Sequence, residues 1–435
     1  MAYKYNERQP ELISADKLTD RQKYLLIESD KFCMLPWVHL HAFPTGQAYT
    51  CCLAELKHPV GNLRNQTLEE VWNSEEMKQT RNNMLEEKPT AACARCYEQE
   101  DMGFFSMRNS SNKRFGHHID KIDQTNADGS MDKMELVYWD IRFSNLCNLR
   151  CRSCGNIFSS NWYDDQAKLI ELDAGPEASK VWKDKTRRVE YAGRTQLDAW
   201  EQLEPHLEYV EQIYFAGGEP LIMEEHYRIL KTLIAKGKTN VRLIYNTNFS
   251  ELRYKKDNVL PMWNEFESVC IGASLDAMGP LAELVRKGTD WAQVERNREE
   301  MLKICPQVDF YISPTLSVMN AWQLPEFHRA WVDKGFLKPQ DLNVNILQDP
   351  MHYRIDILPL HSKEEIKEQY EEHIAWLKPQ DHLTRASIGF ESAIKFMMAD
   401  DKTNLIPKFW HKTEQLDKIR NEDLLSIVPQ LQVLK

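Results

Sequence analysis

The most informative stretch of this sequence is DIRFSNLCNLRCRSCGN, residues 140–156, in which three cysteines follow directly after a strand-like run. Cys147, Cys151 and Cys154 are close enough along the chain to share one tight loop. Three thiolates on such a loop can bind three irons of a 4Fe-4S cubane and leave the fourth iron without a protein ligand. Zinc binding and unconnected structural cysteines are the alternatives, but a three-cysteine zinc site usually recruits a nearby fourth ligand, and none follows in this loop.

Beyond this loop, strand-like runs alternate with helical ones along the chain. The strand-like runs lie at 135–143, 212–216, 241–248, 268–275, 309–316 and 342–347. Such alternation predicts a parallel sheet with crossover helices. We therefore expect an α/β protein with a partial (β/α)6 TIM-like barrel, whose chemistry would collect at the carboxyl ends of the strands.

The segments on either side of the predicted barrel have a different character. Residues 31–101 hold five of the ten cysteines and few long apolar runs, which indicates a small domain held together by a metal. The polar stretch at 110–133 is typical of a linker, and amphipathic helices without strands follow from about 361. We predict three domains: 1–130, cysteine-rich with the linker; 131–355, the barrel; and 356–435, a helical C-terminal extension.

Composition disfavours several classes of protein. The net charge of −11 offers no basic field for phosphate backbones, which argues against a nucleic-acid partner. No apolar run approaches the roughly 20 residues that cross a bilayer, so we expect a soluble protein without a membrane partner. The start of the chain, MAYKYNERQPELISADKL, lacks the pattern of a secretory signal, which predicts a cytoplasmic location. In that reducing compartment, clustered cysteines are better interpreted as metal ligands than as disulfides.

Glycines and polar residues follow the next three strands of the predicted barrel. They are Gly217, Gly218, Glu219 and Pro220 after the second strand, Asn248 after the third, and Ser274, Asp276 and Arg286 after the fourth. Glycines let the backbone approach a ligand closely, a carboxylate can accept hydrogen bonds from an ammonium group, and a guanidinium suits a carboxylate. Each feature also has an ordinary interpretation: a strand-to-helix turn, a turn cap at Asn248, and a surface charge at Arg286.

A second set of cysteines lies before the barrel. The candidate ligands are Cys33, Cys51, Cys93 and Cys96, with Gly46 between the first two. A set of four thiolates suits structural zinc or an iron-sulfur cluster, and the softness of the ligands does not separate these. Cys52 is the alternative to its neighbour Cys51, and our preference for Cys51 rests on its spacing from the glycine.

Four further residues of reactive type are expected to be structural. His39 and His41 alternate on a strand-like run and share a face, where most histidines do not bind metal. Cys270 lies within an apolar strand, and Cys305 precedes Pro306 at the end of a helix. We expect both thiols to act as small buried apolar groups.

The three-cysteine loop resembles the signature of the radical S-adenosylmethionine (SAM) superfamily, in which it follows the first strand of a partial barrel. The resemblance implies a 4Fe-4S cluster that cleaves SAM to a 5′-deoxyadenosyl radical. Residues 217–220 are similar to the glycine-rich motif of the superfamily, and Ser274 with Arg286 resembles the subgroup in which this pair holds the methionine carboxylate. Asn248 would then meet the ribose or the substrate. Ser153 departs from the family, which usually carries an aromatic residue there, near the adenine.

The cysteines before the barrel resemble those of the SPASM and twitch auxiliary-cluster modules. The resemblance rests on the Cys-to-Gly-to-Cys spacing, on GNLRNQTLEEVWNSEEMKQTRNNM at 61–84, and on the final CxxC. It implies one auxiliary 4Fe-4S cluster, because the cysteines suffice for one. In most relatives the module follows the barrel, whereas here it precedes it.

Together these features predict a radical SAM enzyme of oxidoreductase type, with SAM, one catalytic 4Fe-4S cluster and one auxiliary cluster as cofactors. The deoxyadenosyl radical would take hydrogen from a peptide or protein substrate, and a flavodoxin or ferredoxin would be the electron donor. A small molecule, such as a sugar or an amino acid, is the rival substrate. The alternative from another class is a zinc- or iron-sulfur-stabilised binding protein without catalysis.

Overall fold

The structure is a computed structural model, and it describes residues 17–103 and 105–435. Residues 1–16 lie outside the described part, and with them most of the stretch that we interpreted as lacking a secretory signal. The strands of the described residues, numbered along the chain, are β1 (His39–Ala42), β2 (Gln47–Tyr49), β3 (Gly61–Asn62), β4 (Tyr138–Ile141), β5 (Arg150–Cys151), β6 (Gln212–Phe215), β7 (Arg242–Thr247), β8 (Arg253–Tyr254), β9 (Asp257–Asn258), β10 (Val269–Ala273), β11 (Arg286–Lys287), β12 (Asp309–Ile312), β13 (Thr315–Leu316) and β14 (Asn345–Ile346).

Helices fill most of the connections between these strands. In chain order they are α1 (Asp20–Lys23), α2 (Leu35–Val38), α3 (Leu68–Trp72), α4 (Glu75–Leu85), α5 (Ala94–Asp101), α6 (Met107–Phe115), α7 (Trp162–Ala174), α8 (Asp198–Leu203), α9 (Glu224–Ala235), α10 (Val259–Glu265), α11 (Gly279–Val285), α12 (Trp291–Ile304), α13 (Leu324–Asp333), α14 (Leu360–Leu377), α15 (Arg385–Ala399), α16 (Ile406–Arg420) and α17 (Leu424–Ile427). Within the described ranges, no helix has both the length and the apolar character that a membrane span requires.

Eight of the strands form one sheet in the order β12-β10-β7-β6-β4-β1-β2-β3. The neighbours from β12 to β1 pair in parallel, and only β2 and β3 add antiparallel edges. The protein is therefore α/β with a central, mostly parallel sheet, as the sequence predicted. Because parallel strands end at the same edge, the loops after β4, β6, β7 and β10 lie side by side.

The cysteine-rich region contributes directly to this sheet. Strand β1 pairs in parallel with β4, in a register that runs from His39 opposite Tyr138 to Ala42 opposite Ile141. One core contains the buried indoles of Trp37 and Trp72 from this region together with Trp139, Trp263 and Trp331 from the rest of the chain. The cysteine-rich region and the sheet are thus stabilised by the same buried apolar surface.

The sixth predicted strand is shorter than expected and lies outside the main sheet. Strand β14 pairs with β13 in a separate two-stranded sheet, and a single bridge between Ile312 and Leu342 connects this segment to β12. The predicted run at 309–316 is interrupted at Pro314, which has no N–H to donate to a ladder. The prediction of one continuous strand there was wrong for this reason.

Among the described residues, the segment after 358 contains helices and no strands. Its helix α16 packs against α7, where Lys412 pairs with Asp173 at 2.6 Å and the Arg420 Nε donates to Asp165 at 2.9 Å. The C-terminal helices therefore reach back to the region that follows the three-cysteine loop.

Candidate functional site

Three thiols of one loop line a large cavity at the carboxyl end of the parallel strands. We call residues 147–154 the triplet loop and this cavity, of about 750 Å³, the open site. Cys147, Cys151 and Cys154 all belong to its wall. Strand β5, within the loop, pairs with β11 so that Cys151 lies opposite Arg286. The sequence-predicted triplet is therefore brought together where the fold concentrates chemistry.

Hydrogen bonds fix the triplet loop from inside. The indole N–H of Trp162 donates to the Cys151 carbonyl at 2.8 Å, and the Ser159 hydroxyl donates to the Leu149 carbonyl at 2.6 Å. Two of the sulfurs accept weak hydrogen bonds, from the Leu149 N–H to Cys147 at 3.5 Å and from Arg286 to Cys151 at 3.7 Å. Donors directed at sulfur favour the thiolate form that a metal needs.

Burial keeps these thiols protonated in the absence of a metal. It raises the pKa of Cys154 to about 12, and it raises the pKa of Cys147 and of Cys151, where the Arg286 charge opposes the rise. Iron ions would reverse this effect, because a coordinating thiol is deprotonated by the cation. In the described part of the chain, no histidine and no fourth cysteine lines the open site. This set fits a cubane with one iron free for an exogenous ligand.

The glycine pair after β6 is locked onto the triplet loop. The Gly218 N–H donates to the Ser144 carbonyl at 3.3 Å, and the Glu219 N–H donates to the Leu146 carbonyl at 2.7 Å. A Cβ on Gly218 would lie 2.1 Å from the Leu146 carbonyl oxygen, closer than any side chain could be. Glycine is therefore required there so that the two loops can approach each other.

The Glu219 carboxylate lies beneath this junction and is 1% exposed. It accepts hydrogen bonds from the Thr247 hydroxyl at 2.7 Å and from the N–H groups of Asn248 and Leu221 at 2.6 and 3.1 Å. Burial raises the pKa of Glu219 to about 7, and these three donors oppose the rise. Neither Glu219 nor Pro220 is among the residues lining the open site, so the carboxylate supports the cavity wall from behind.

The remaining cofactor candidates gather around the same cavity. Gly217, Asn248, Ser274 and Arg286 line the open site. Asp276 lies behind Arg286 and accepts its hydrogen bond at 2.8 Å. This contact orients the guanidinium, which explains how Asp276 can serve the site without forming its wall.

One polar group of the open site was missed by the sequence analysis. Arg142, just after β4, lines the cavity and donates to Asp140 at 2.6 Å, while His41 lies 3.0 Å from the other oxygen of that carboxylate. Burial opposes ionisation of Asp140, but the charge of Arg142 and the contact with His41 hold its pKa well below the usual range. The charged pair Asp140 and Arg142 at the end of a buried strand was the signal in the sequence that could have identified this group. Their third partner, His41, lies about 100 positions away, so no local pattern connects it to them.

The other four thiols surround a second, smaller cavity, which we call the closed site. Cys33, Cys51, Cys93 and Cys96 line this cavity of about 20 Å³. Cys52 does not line it, and the charged groups that act on Cys52 include Asp140 and Arg142. Burial raises the pKa of Cys51 and Cys93 to about 12.

The closed site also offers a donor to a cluster. The buried hydroxyl of Thr50 has no hydrogen-bond partner among the described residues and belongs to the cavity wall. Four thiols and one unused hydroxyl fit a cubane with all four irons ligated by protein. Gly46, with φ of +85°, makes the turn between β1 and β2 that brings Cys51 to this place.

The residues expected to be structural have structural partners. His39 lies 3.0 Å from the Tyr138 carbonyl, and burial lowers its pKa to about 4. Cys270 and Cys305 are buried, and the Cys270 thiol lies 3.4 Å from an Asp309 carboxylate oxygen.

Residues 33–97 match the family model of SPASM, an iron-sulfur cluster-binding domain. Over this stretch the chain is similar to SPASM domains. This match confirms the iron-sulfur chemistry predicted for the four cysteines of the closed site. It also confirms the predicted resemblance of this region to the SPASM modules. No curated protein matches the sequence.

Several solved structures are similar to parts of this chain. One, described as native anSMEcpe with bound AdoMet and Cp18Cys peptide, has a TM-score of 0.33 at 17% identity over 54% of this chain and 60% of its own. SuiB of Streptococcus suis bound to S-adenosylmethionine has a TM-score of 0.33 at 11% identity, and the match covers 69% of this chain and 61% of SuiB. TYW1 with a lysine-pyruvate adduct has a TM-score of 0.25 at 14% identity, and the match covers 56% of this chain and 71% of TYW1. The chain thus spans about 60% of the length of the first two structures.

Proposed function

We propose that this protein is a radical SAM enzyme. The observation that carries the proposal is the triplet loop, whose three thiols face the open site together with Gly217, Ser274 and Arg286. These thiols would hold a 4Fe-4S cluster, which would supply one electron to the sulfonium of SAM, so that a carbon–sulfur bond breaks to give methionine and a 5′-deoxyadenosyl radical able to take hydrogen from a substrate carbon. In this proposal the chain has the predicted domains, 1–130, 131–355 and 356–435, the second being a partial (β/α)6 barrel.

The side chains and backbone of the open site would hold the nucleoside ligand. Arg286, oriented by Asp276, suits the methionine carboxylate, and Ser274 can add a hydrogen bond to it. The backbone at Gly217 and Gly218 can accept from the methionine ammonium, with the Glu219 carboxylate behind it contributing negative charge. Asn248, which also lines the open site, would contact the ribose or the substrate.

Two apolar side chains offer a surface for the adenine. Ile157 and Phe158 follow the triplet loop and line the open site. We assign the adenine to this surface because Ser153, at the usual aromatic position, cannot supply a ring.

The auxiliary cluster is proposed to assist the reaction through a row of aromatic rings between the two sites. Tyr49, which belongs to a small apolar cluster that Cys51 packs against, contacts Phe43 with ring centroids 5.5 Å apart. Phe43 in turn contacts Phe158 of the open site at 5.7 Å. In this proposal a cluster in the closed site would accept or return an electron along this row of rings.

The substrate proposed first is a peptide or protein, as the SPASM resemblance implies. A small molecule such as a sugar or an amino acid is the second candidate, and the volume of the open site lies in the range of small-molecule cavities. A flavodoxin or ferredoxin in the cytoplasm would supply the electron.

Anaerobic reconstitution tests this function. We expect about eight irons per chain, an electron paramagnetic resonance (EPR) signal of the reduced protein that changes when SAM is added, and formation of 5′-deoxyadenosine. The Cys151→Ala variant should retain about four irons and form no 5′-deoxyadenosine. Bound zinc in place of iron, or a signal insensitive to SAM, would instead support the binding protein without catalysis.

A further inference from the structure

The arginine inside the triplet loop is held by the far end of the chain. Arg152 lies between Cys151 and Cys154, is 2% exposed, and is not among the residues lining the open site. Its guanidinium donates to Glu422 at 2.6 Å and to Asp417. The loop that faces the cavity with its sulfurs is therefore tied on its other side to carboxylates more than 260 residues away in sequence.

The same carboxylate also holds the strand beside the loop. Glu422 pairs with Lys287 at 3.0 Å, and Lys287 belongs to β11, which lies antiparallel to Arg150 and Cys151 of β5. Both strands of this short ladder are thus anchored at one point. A displacement of Glu422 would therefore shift Cys151 both through Lys287 and through Arg152.

A parallel set of contacts secures the start of the loop. Asp165 of α7 accepts hydrogen bonds from Arg150 at 3.0 Å and from Arg420 of α16 at 2.9 Å. Arg420 also lies over the ring of Trp162, at 4.7 Å, and the indole of Trp162 donates to the Cys151 carbonyl at 2.8 Å. Arg420, at the end of α16, therefore supports the region of Cys151 both through Asp165 and through Trp162.

The local backbone places these groups. Asn421 adopts the left-handed conformation, with φ of 53°, and ends α16 so that the chain turns toward the loop. Asp417 also accepts the Leu424 N–H at 3.1 Å, which fixes the turn around Glu422.

The charges involved are costly to bury. Arg152 and Arg420 lie with Asp165, Asp417 and Glu422 in a region that is largely closed to water. Buried ion pairs of this kind add little net stability, but removal of one partner strongly disfavours the arrangement, so they act mainly to select one conformation. The conformation selected here is that of the triplet loop.

We propose that residues 406–424 are a positioning element of the catalytic cluster site, in which Asp417 and Glu422 act through Arg152 to keep the three thiols of the triplet loop directed into the open site. The inference rests on the proposed function, since it assigns the loop to a cluster. It gives the C-terminal helices a role in cluster binding, and it makes Asp417 and Glu422 positioning residues that touch neither cluster nor substrate.

The test is the Asp417→Asn/Glu422→Gln double variant of the full chain, reconstituted anaerobically. We expect about four irons per chain in place of about eight, and at least tenfold faster loss of the triplet-loop iron to a ferrous chelator in any protein that loads it. The SAM-dependent change of the EPR signal should shrink in proportion. Retention of eight irons with the parental chelation rate and an unchanged SAM response would overturn the proposal.

A matched control comes from the same pair of helices. Asp173→Ala removes the acceptor that α7 offers to Lys412 and Gln415 of α16, at 2.6 Å for the lysine, but touches no residue of the triplet loop. This variant should load about eight irons and lose them at the parental rate. An effect equal to that of the double variant would also overturn the proposal, because general weakening of the helix packing would then explain both.

The double variant leaves the Arg152 cation buried without a partner, which can by itself prevent folding. The Arg152→Met/Asp417→Asn/Glu422→Gln triple variant removes that charge, so the chain should fold and load the closed site while the triplet loop remains poorly loaded. Loss of the auxiliary cluster in the triple variant as well would overturn the proposal, since residues 406–424 would then support the whole chain. A parent that loads eight irons but ignores SAM would refute the proposed function and leave the iron measurements decisive for the loop.

Discussion

The two cysteine sites of this protein use the same ligand type with opposite degrees of enclosure. The closed site brings four thiols to a cavity of about 20 Å³, whereas the open site presents three thiols to about 750 Å³. A cubane with four protein thiolates has no iron left for a substrate, and its role is limited to electron transfer and structure. A cubane with three has a vacant corner, and the volume in front of that corner decides what can bind there.

The two sites also differ in the contacts that hold their thiols in place. The four thiols of the closed site lie in a region that shares the main core and contributes β1 to the central sheet. The triplet loop is held by a glycine contact on one side and by buried ion pairs on the other. The site that must admit ligands is thus fixed by directional polar contacts, which do not fill the cavity.

The largest effect is expected when one thiol is removed from each site in turn. Cys154→Ala should abolish formation of 5′-deoxyadenosine and leave about four irons, because the cubane at the triplet loop loses a ligand. Cys96→Ala should also leave about four irons but keep a SAM-sensitive EPR signal. Iron analysis and EPR of both variants check this, and a SAM response that disappears in Cys96→Ala instead would reverse the assignment of the sites.

A smaller but still large effect is expected where the triplet loop meets the glycine pair. Gly218→Ala places a Cβ 2.1 Å from the Leu146 carbonyl oxygen, a backbone atom that can move only with the loop. We expect a loss of about 1–3 kcal/mol in stability and at least tenfold weaker SAM binding. Equilibrium binding and thermal denaturation measure both quantities.

Gly155→Ala is the control for this substitution. Gly155 follows Cys154 directly and lines the open site, but a Cβ added to it would meet no heavy atom within 4 Å. This variant should therefore bind SAM nearly as the parent does. Equal losses in the two variants would mean that the clash with Leu146 is not the cause.

The sequence predicted those parts of the fold and site that local patterns specify. The triplet loop, the glycine pair and the first four predicted strands follow from spacing and periodicity over fewer than twenty residues, and the structure has each of them, whereas the fifth predicted strand is divided at Pro314. The contacts of Arg152 with Asp417 and Glu422, or of Asp140 with His41, join residues about 100 to 270 positions apart. No periodicity marks such partners, because the chain's path alone brings them together.

The stability of the folded protein should depend on pH, because the buried Glu219 carboxylate lies beneath the wall of the open site. Its pKa is raised from 4.5 to about 7 by burial. The unfolded chain therefore loses this proton at lower pH than the folded protein. As a result, the free energy of unfolding decreases as pH rises from about 4.5 through 7. The full effect is about 3 kcal/mol above pH 7.

Glu219→Gln should remove this dependence. At pH 5 the protonated acid and the amide are both neutral, and each keeps one carbonyl oxygen for the donors of Thr247 and Leu221, but the amide NH2 cannot accept from the Asn248 N–H, so the variant should be the less stable protein there. Between pH 5 and 8 the difference in stability should shift by about 3 kcal/mol in favour of the variant. Anaerobic thermal denaturation from pH 5 to 8 measures the difference, and parallel curves for the two proteins would contradict the raised pKa.

The smallest expected effect concerns the neighbouring thiols Cys51 and Cys52. Of the two, Cys51 alone lines the closed site, and Cys52 is acted on by the charges of Asp140 and Arg142 near the open site. Cys52→Ala should therefore keep the auxiliary cluster with its EPR signal unchanged, whereas Cys51→Ala should lose about four irons. If Cys52→Ala lost the auxiliary cluster instead, the hairpin of β1 and β2 would have to present the other thiol to the closed site, and the spacing from Gly46 would no longer identify the ligand.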